Sequence, residues 1–154
     1  MLERRKRFLG PAYRLFYNRP LNIVKGEGVW LFDNNNKRYL DMYNNVAHVG
    51  HCHPQVVEAI RKQVGILNTH TRYLHDNVLH YAERLLNKMP DALDVAMFSC
   101  TGTEANELAL RIARTYTEGT GIIVTEDAYH GNSEAIAEIS TEDNEPEDRS
   151  DYVV

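Results

Sequence analysis

The sequence predicts an α/β fold, a parallel sheet with helices laid on it. Two short apolar runs, Asp94-Val95-Ala96-Met97-Phe98-Ser99 and Ile122-Ile123-Val124, flank a stretch with apolar residues at helical spacing. Apolar runs of that length, bounded by turn residues, read as buried strands. Strand, helix, strand with short connections is a βαβ unit, and its two strands run parallel. Composition permits a packed core: 43% of the 154 residues are hydrophobic and 25% are charged, as in ordinary globular chains and unlike disordered ones.

Along the chain, residues 1–25 give no clean period and carry Gly10-Pro11 and Arg19-Pro20 as breakers. Val29-Trp30-Leu31-Phe32-Asp33 and Lys37-Arg38-Tyr39-Leu40-Asp41 then flank Asn34-Asn35-Asn36. Two β-prone runs around an asparagine-rich turn predict a hairpin. His53-Pro54 opens a helix, since proline suits the first turn, and Val56, Val57, Ile60 and Val64 share one face of it. A second helix starts near Asp76-Asn77, both good caps, carries Val78, Leu79, Ala82, Leu85 and Leu86, and stops before Pro90. The third follows Thr101-Gly102-Thr103-Glu104 with Ala105, Leu108, Ala109, Ile112, Ala113 and Tyr116 inward, and ends at Gly119 and Gly121. Beyond it an acidic tail gathers Glu142, Asp143, Glu145, Glu147 and Asp148 around Pro146, and a third strand begins at Tyr152-Val153-Val154. Two strands cannot bury both faces of a parallel sheet, so more chain is expected. The expected division is 1–75, an N-terminal segment and part of a small domain, and 76–154, the start of a larger domain.

Several function classes drop out. A net charge of −5 argues against a nucleic-acid or acidic-membrane surface as main partner. Cys52 and Cys100 are the only cysteines; that is no disulfide framework, and a cytoplasmic location fits it. No apolar stretch reaches the ~20 residues of a membrane span. Arg4, Arg5, Lys6 and Arg7 suggest a transit segment, but Glu3 sits among them without a following serine-rich stretch, so a solvated basic helix end is expected.

The turn Ser99-Cys100-Thr101-Gly102-Thr103-Glu104-Ala105-Asn106 carries the chemistry. It puts small residues and a glycine at a helix N-terminus, where free N–H groups and the dipole favour a phosphate. The plainer alternative is a capping box from Thr101 to Glu104. Tyr129-His130-Gly131 follows the next strand, at the carboxyl edge where open α/β sheets collect ligands. Tyr129 can stack on a flat heteroaromatic ring and His130 can orient it; alternatively both are core and loop filler. Together the two motifs fit a phosphorylated planar cofactor.

Gly28-Val29-Trp30-Leu31-Phe32-Asp33, Tyr39-Leu40-Asp41, Gly50-His51-Cys52-His53-Pro54, Thr101-Gly102-Thr103-Glu104-Ala105-Asn106 and Tyr129-His130-Gly131 resemble, in order, the landmarks of class III pyridoxal-phosphate (PLP)-dependent aminotransferases. The match runs along most of the chain and covers roughly the first third of such an enzyme. Asn44-Asn45-Val46-Ala47-His48-Val49-Gly50-His51, Leu67-Asn68-Thr69 and Arg72-Tyr73-Leu74-His75-Asp76-Asn77 are similar to the branch of ethanolamine-phosphate phospho-lyase and the alanine–glyoxylate aminotransferases. The resemblance implies an incomplete PLP-dependent transferase fold type I, with 76–154 opening the large PLP-binding domain, and a homodimer. It implies that Gly102 and Thr103 bind the cofactor phosphate, that Tyr129 stacks on the ring and that His130 flanks it. The complete enzyme would move an amino group between an amine or amino acid and a 2-oxo acid, its lysine shuttling a proton and the pyridinium ring acting as electron sink. The family's cofactor lysine and its acidic partner for the ring nitrogen have no counterpart here: Lys6, Lys25, Lys37, Lys62 and Lys88 all precede the phosphate turn. No catalytic residue is therefore assigned, and the chain alone is expected to be inactive. Asn132 departs from the arginine that relatives using 4-aminobutyrate or ornithine often carry after this motif.

His48, His51, His53 and Cys52 look like metal ligands, but no second ligand pair stands at a distance, so no metal is expected. Cys100 is a reactive thiol at a helix end or small buried filler, the latter expected. Arg72, in a polar loop between helices, is the candidate for gripping a substrate phosphate or carboxylate; a salt bridge is the alternative. Besides transamination, phosphate elimination from a phosphorylated amino alcohol and an inactive remnant or dimerisation module remain open. A nucleotide-binding Rossmann domain is disfavoured, because no G-x-G-x-x-G follows a strand.

Overall fold

Asp33 shows how the first part of the chain is built. Its carboxylate accepts the N–H groups of Asn35 and Lys37, each at 2.9 Å, and the Tyr39 hydroxyl at 2.9 Å. Asn36 takes the left-handed turn conformation at φ 65°, which asparagine tolerates better than most residues. The hairpin of β2 (Trp30–Asp33) and β3 (Arg38–Leu40) closes around this turn, with Leu31 opposite Tyr39. A third strand, β1 (Ile23–Glu27), pairs antiparallel with β2, giving the order β1-β2-β3. Sequence periodicity missed β1 because Gly26 interrupts it. That glycine has a packing reason: a Cβ there would stand 2.7 Å from Cγ of His51.

The computed structural model describes residues 1–12, 15–44, 48–142, 146 and 149–153. Asn45, Val46 and Ala47 of the narrower motif, and Asp143, Glu145, Glu147, Asp148 and Val154 of the tail, lie outside the described residues. The chain divides into two units, Met1–Leu74 and His75–Val154.

In the first unit, α1 (Leu2–Leu9) carries the basic residues Arg4 to Arg7, and Gly10 caps it at φ 69°. The helix α2 (Pro54–Val64) begins at the proline, as expected, with His53 at its N-cap. His51 extends the sheet: it exchanges both backbone hydrogen bonds with Gly28, at 3.0 and 2.7 Å. Its Nε2 lies 2.5 Å from the Asp41 carboxylate. The Asn44 N–H first, and His51 next, hold that carboxyl far below the ordinary carboxylate range.

In the second unit, α3 (Asp76–Leu86) has His75 as its N-cap, with Nδ1 accepting the Asn77 N–H at 3.2 Å. Asp76 is the first helical residue, one place after the cap. The helix α4 (Gly102–Thr117) ends on Glu118, which takes the left-handed cap conformation at φ 57°, just before the glycines that suggested the stop. A short α5 (Glu134–Glu138), unforeseen in the sequence, packs on α4 and buries Ile136 completely.

The two buried strands predicted at 94–99 and 122–124 are not formed as such. No strand pairing involves 94–99 among the described residues, and Val95 and Met97 are exposed. Ile122 makes a single parallel bridge to Val153 through its N–H to the Tyr152 carbonyl at 2.8 Å, and Ile123 is exposed. Apolar character marks a segment fit for a sheet, but the ladder needs a neighbour on its edge. The described residues supply one only at Ile122, where Tyr152-Val153 arrives in the parallel sense expected. Among them, no helix is long and apolar enough to cross a membrane.

Candidate functional site: the N-terminal turn of α4

The capping box at the Thr101–Glu104 turn and an anion site there would use different atoms. The capping box forms: Glu104 N–H donates to Thr101 Oγ1 at 3.1 Å, and the Glu104 carboxylate accepts the N–H groups of Cys100 at 2.8 Å and Thr101 at 3.1 Å. Ala105 N–H reaches the Thr101 carbonyl. The N–H groups of Gly102 and Thr103 have no partner among the described residues. These two donors project from the positive end of a sixteen-residue helix, where an anion is favoured. A Cβ added at Gly102 would meet nothing within 4 Å, so there is open space against the turn.

The loop carrying Tyr129, His130 and Gly131 lies against this helix end. Asn106 Nδ2 donates to the His130 carbonyl at 2.8 Å, and Asn132 N–H donates to Thr103 Oγ1 at 3.3 Å. With Oγ1 accepting that bond, the Thr103 hydroxyl proton remains free to donate. Contact is close at Gly131, where φ is 149° and a Cβ would fall 2.5 Å from Thr103 Oγ1. Tyr129 is 58% exposed, so its ring is open rather than core filler. His130 Nε2 is buried without a hydrogen-bond partner. An unpaired buried ring nitrogen is costly and suits a site completed by a ligand.

The four cofactor candidates Gly102, Thr103, Tyr129 and His130 therefore sit on two neighbouring segments of one unit. Periodicity had missed Asn106, although its spacing from Thr103, three residues along a helix, puts both on one face. Cys100, expected as buried filler, is exposed, and its N–H is engaged by the Glu104 carboxylate. Arg72 belongs to the other unit. It is exposed, its N–H donates to His70 Nδ1 at 3.1 Å, and its guanidinium has no partner among the described residues. Among those residues no group of three His, Cys, Asp or Glu side chains is arranged to hold a metal.

Residues 15–151 match the family model described as aminotransferase class-III. The chain belongs to the class-III aminotransferase family. Within that family it is 45% identical to the alanine–glyoxylate aminotransferase 2-like protein of Drosophila melanogaster, over 99% of this chain and 32% of the fly protein. It is 44% identical to the mitochondrial alanine–glyoxylate aminotransferase 2 homolog 2 of Arabidopsis thaliana, over 88% of this chain and 29% of that one. Among solved structures it superposes on a phospholyase from Arthrobacter in complex with phosphoethanolamine. The TM-score is 0.93, with 49% identity over 99% of this chain and 36% of that one. The chain thus spans about a third of the length of the relatives it matches. The fold is the PLP-dependent transferase fold that the family resemblance implied, and this class-III chain carries its first part.

Proposed function

We propose that this chain is the N-terminal part of a PLP-dependent enzyme that moves an amino group between an amine or amino acid and a 2-oxo acid. The observation that carries the reading is the α4 turn, with two unpaired N–H groups in open space, set against a loop with an open tyrosine and an orphaned histidine nitrogen. Residues 76–154 would open the large cofactor-binding domain and 1–75 the N-terminal segment and small-domain part. Gly102 and Thr103 would hold the phosphate by their N–H groups and the Thr103 hydroxyl. Tyr129 would cover one face of the ring, and His130 would stand at its side. Bound PLP supplies an electron sink for carbanion chemistry at the substrate carbon.

This chain's own part is binding and orientation. The helix N-terminus would fix the phosphate end, and the tyrosine plate would fix the ring plane. Arg72 would serve the substrate instead, its guanidinium fork matching paired oxygens of a carboxylate or phosphate.

A second reading, elimination of phosphate from a phosphorylated amino alcohol, is favoured by the 49% identity to the phospholyase that holds phosphoethanolamine. Asn132 stands where some relatives place an arginine, which fits a substrate without a second carboxylate. One assay separates the two. The intact enzyme with PLP is given phosphoethanolamine alone, then alanine with glyoxylate. Release of inorganic phosphate without an oxo acid means lyase; glycine formation means transaminase. Failure to take up PLP by absorbance titration rejects both.

A homodimer is the proposed assembly and the cytoplasm the proposed compartment, the latter supported by two cysteines far apart in sequence. The Arabidopsis relative is named as mitochondrial, so imaging the tagged intact protein decides between the two compartments.

A further inference from the structure

His130 sits in an irregular loop, and backbone groups outside helices and sheets need other partners. Its two are held by side chains from opposite sides. Asn106 of α4 donates Nδ2–H to the His130 carbonyl at 2.8 Å. Ser140, just past α5, accepts the His130 N–H on Oγ at 3.0 Å and donates its own O–H to the Ile136 carbonyl at 2.8 Å. Thr141 does the same two residues earlier in the loop: Oγ1 accepts the Ala128 N–H at 2.9 Å and donates to the Thr125 carbonyl at 2.7 Å. Ser140 and Thr141 are buried, and so is Gly131. Tyr129 is the residue between these two gripped peptides, and its ring is left open.

Of these grips, only Asn106 comes from the helix whose N-terminus forms the phosphate turn. It lies one turn along from Thr103, on the same face. Its amide orientation is fixed by chemistry, since a carbonyl oxygen can only accept and so must face the NH2.

We propose that Asn106 is a positioning residue: by holding the His130 peptide it sets the Tyr129 ring and the His130 imidazole at a fixed height above the phosphate turn. This rests on the reading of the site as one for PLP. Asn106 would touch neither phosphate nor ring. Its effect should therefore fall on ring binding and leave phosphate binding alone, whereas loss of Thr103 should reach phosphate binding.

The test uses the intact enzyme and the variants Asn106→Leu and Thr103→Ala. PLP, pyridoxal without its phosphate, and inorganic phosphate are titrated separately, and the visible circular dichroism of the bound ring is recorded. Losing one hydrogen bond should weaken PLP and pyridoxal alike in Asn106→Leu, by roughly three- to tenfold. The dichroism band should shrink or change shape, and inorganic phosphate should bind as in the wild type. Thr103→Ala should weaken inorganic phosphate as well as PLP. If the wild type takes up PLP but Asn106→Leu keeps its pyridoxal affinity and its band, the proposal is overturned. An equal loss of inorganic phosphate overturns it too, because Asn106 would then support the turn itself. If the wild type takes up no PLP, the cofactor reading falls first, and that outcome is distinct. Should Asn106→Leu not melt cooperatively without cofactor, the smaller Asn106→Ala, which removes the donor without adding a charge, is read in the same way. If that variant also fails to fold, Asn106 is a folding residue and the proposal is overturned.

Discussion

Thr103 and Glu104 are neighbours on α4 with separate work. Glu104 turns its carboxylate back onto the Cys100 and Thr101 N–H groups, while Thr103 faces the 129–132 loop and keeps a hydroxyl proton to give. Thr103→Ala in the intact enzyme removes one hydrogen bond to a charged phosphate and should weaken PLP by about 1.5–3 kcal/mol. Absorbance titration measures it, and an unchanged affinity removes Thr103 from the site. Arg72 gives the opposite expectation. Its guanidinium has no partner among the described residues. Arg72→Lys keeps the charge and loses the fork, and kcat/KM should fall about tenfold, or ~1.4 kcal/mol, with PLP affinity intact. Steady-state kinetics on phosphorylated and plain amines checks this, and a loss confined to phosphorylated amines supports the lyase reading. The sequence offered both as candidates because a helix end and a polar loop are local features. Asn106 was not, since its partner is twenty-four positions away and no local pattern announces such a bond.

At the scale of elements, close approach explains two glycines. A Cβ at Gly131 would fall 2.5 Å from Thr103 Oγ1 and 3.0 Å from Ile136 Cγ2, at a φ of 149°. Gly131→Ala must push α4, α5 or the loop apart and should cost about 1–3 kcal/mol, measured by urea unfolding. Gly102→Ala is the control for folding, since its Cβ meets open space, and its unfolding midpoint should hold. In the first unit, Gly26 gives way to the His51 ring, and His51 in turn meets Asp41. Asp41 is depressed by the Asn44 N–H and then by His51, so its folded carboxyl takes a proton at lower pH than the unfolded one. Its stabilising contribution is therefore complete above the unfolded value of about 3.9 and is lost as pH falls below that. Acid unfolding followed by far-UV circular dichroism should show a shallower loss below about pH 4 in Asp41→Asn than in the wild type. Equal slopes would mean that the pair adds nothing to the folded turn. The hairpin itself was readable, because the asparagine run and Asp33 specify the turn without help from distant residues. The cap of α3 was misplaced by one residue, because histidine rarely caps and here its ring nitrogen does so.

Across the whole molecule, buried apolar side chains are scarce among the described residues: Ile136 and Ile139 are the two, while Leu74, Tyr116 and Ile123 are 88% exposed or more. Open apolar faces of that extent seek cover, so this chain by itself should self-associate. Analytical ultracentrifugation showing a compact monomer that unfolds cooperatively would contradict that. The five lysines, Lys6, Lys25, Lys37, Lys62 and Lys88, all precede the Thr101–Glu104 turn. Borohydride treatment of this chain with PLP should therefore label no single lysine stoichiometrically, which peptide mapping reads, and turnover should be absent. The sequence by itself determined the helices α2, α3 and α4, the hairpin, the capping turn at Thr101–Glu104 and the family, because each rests on short-range periodicity, capping or motif order. It could not determine whether 94–99 and 122–124 join a sheet, because a strand exists only through its neighbours. Nor could it show that the capping box at Thr101 and Glu104 leaves the Gly102 and Thr103 N–H groups unpaired. Tertiary structure decided both, as it decided that the Tyr129–Asn132 loop lies on the Thr103–Asn106 face of α4. The physical reason is common to all three: a hydrogen bond between segments depends on where the chain returns, and no local pattern carries that information.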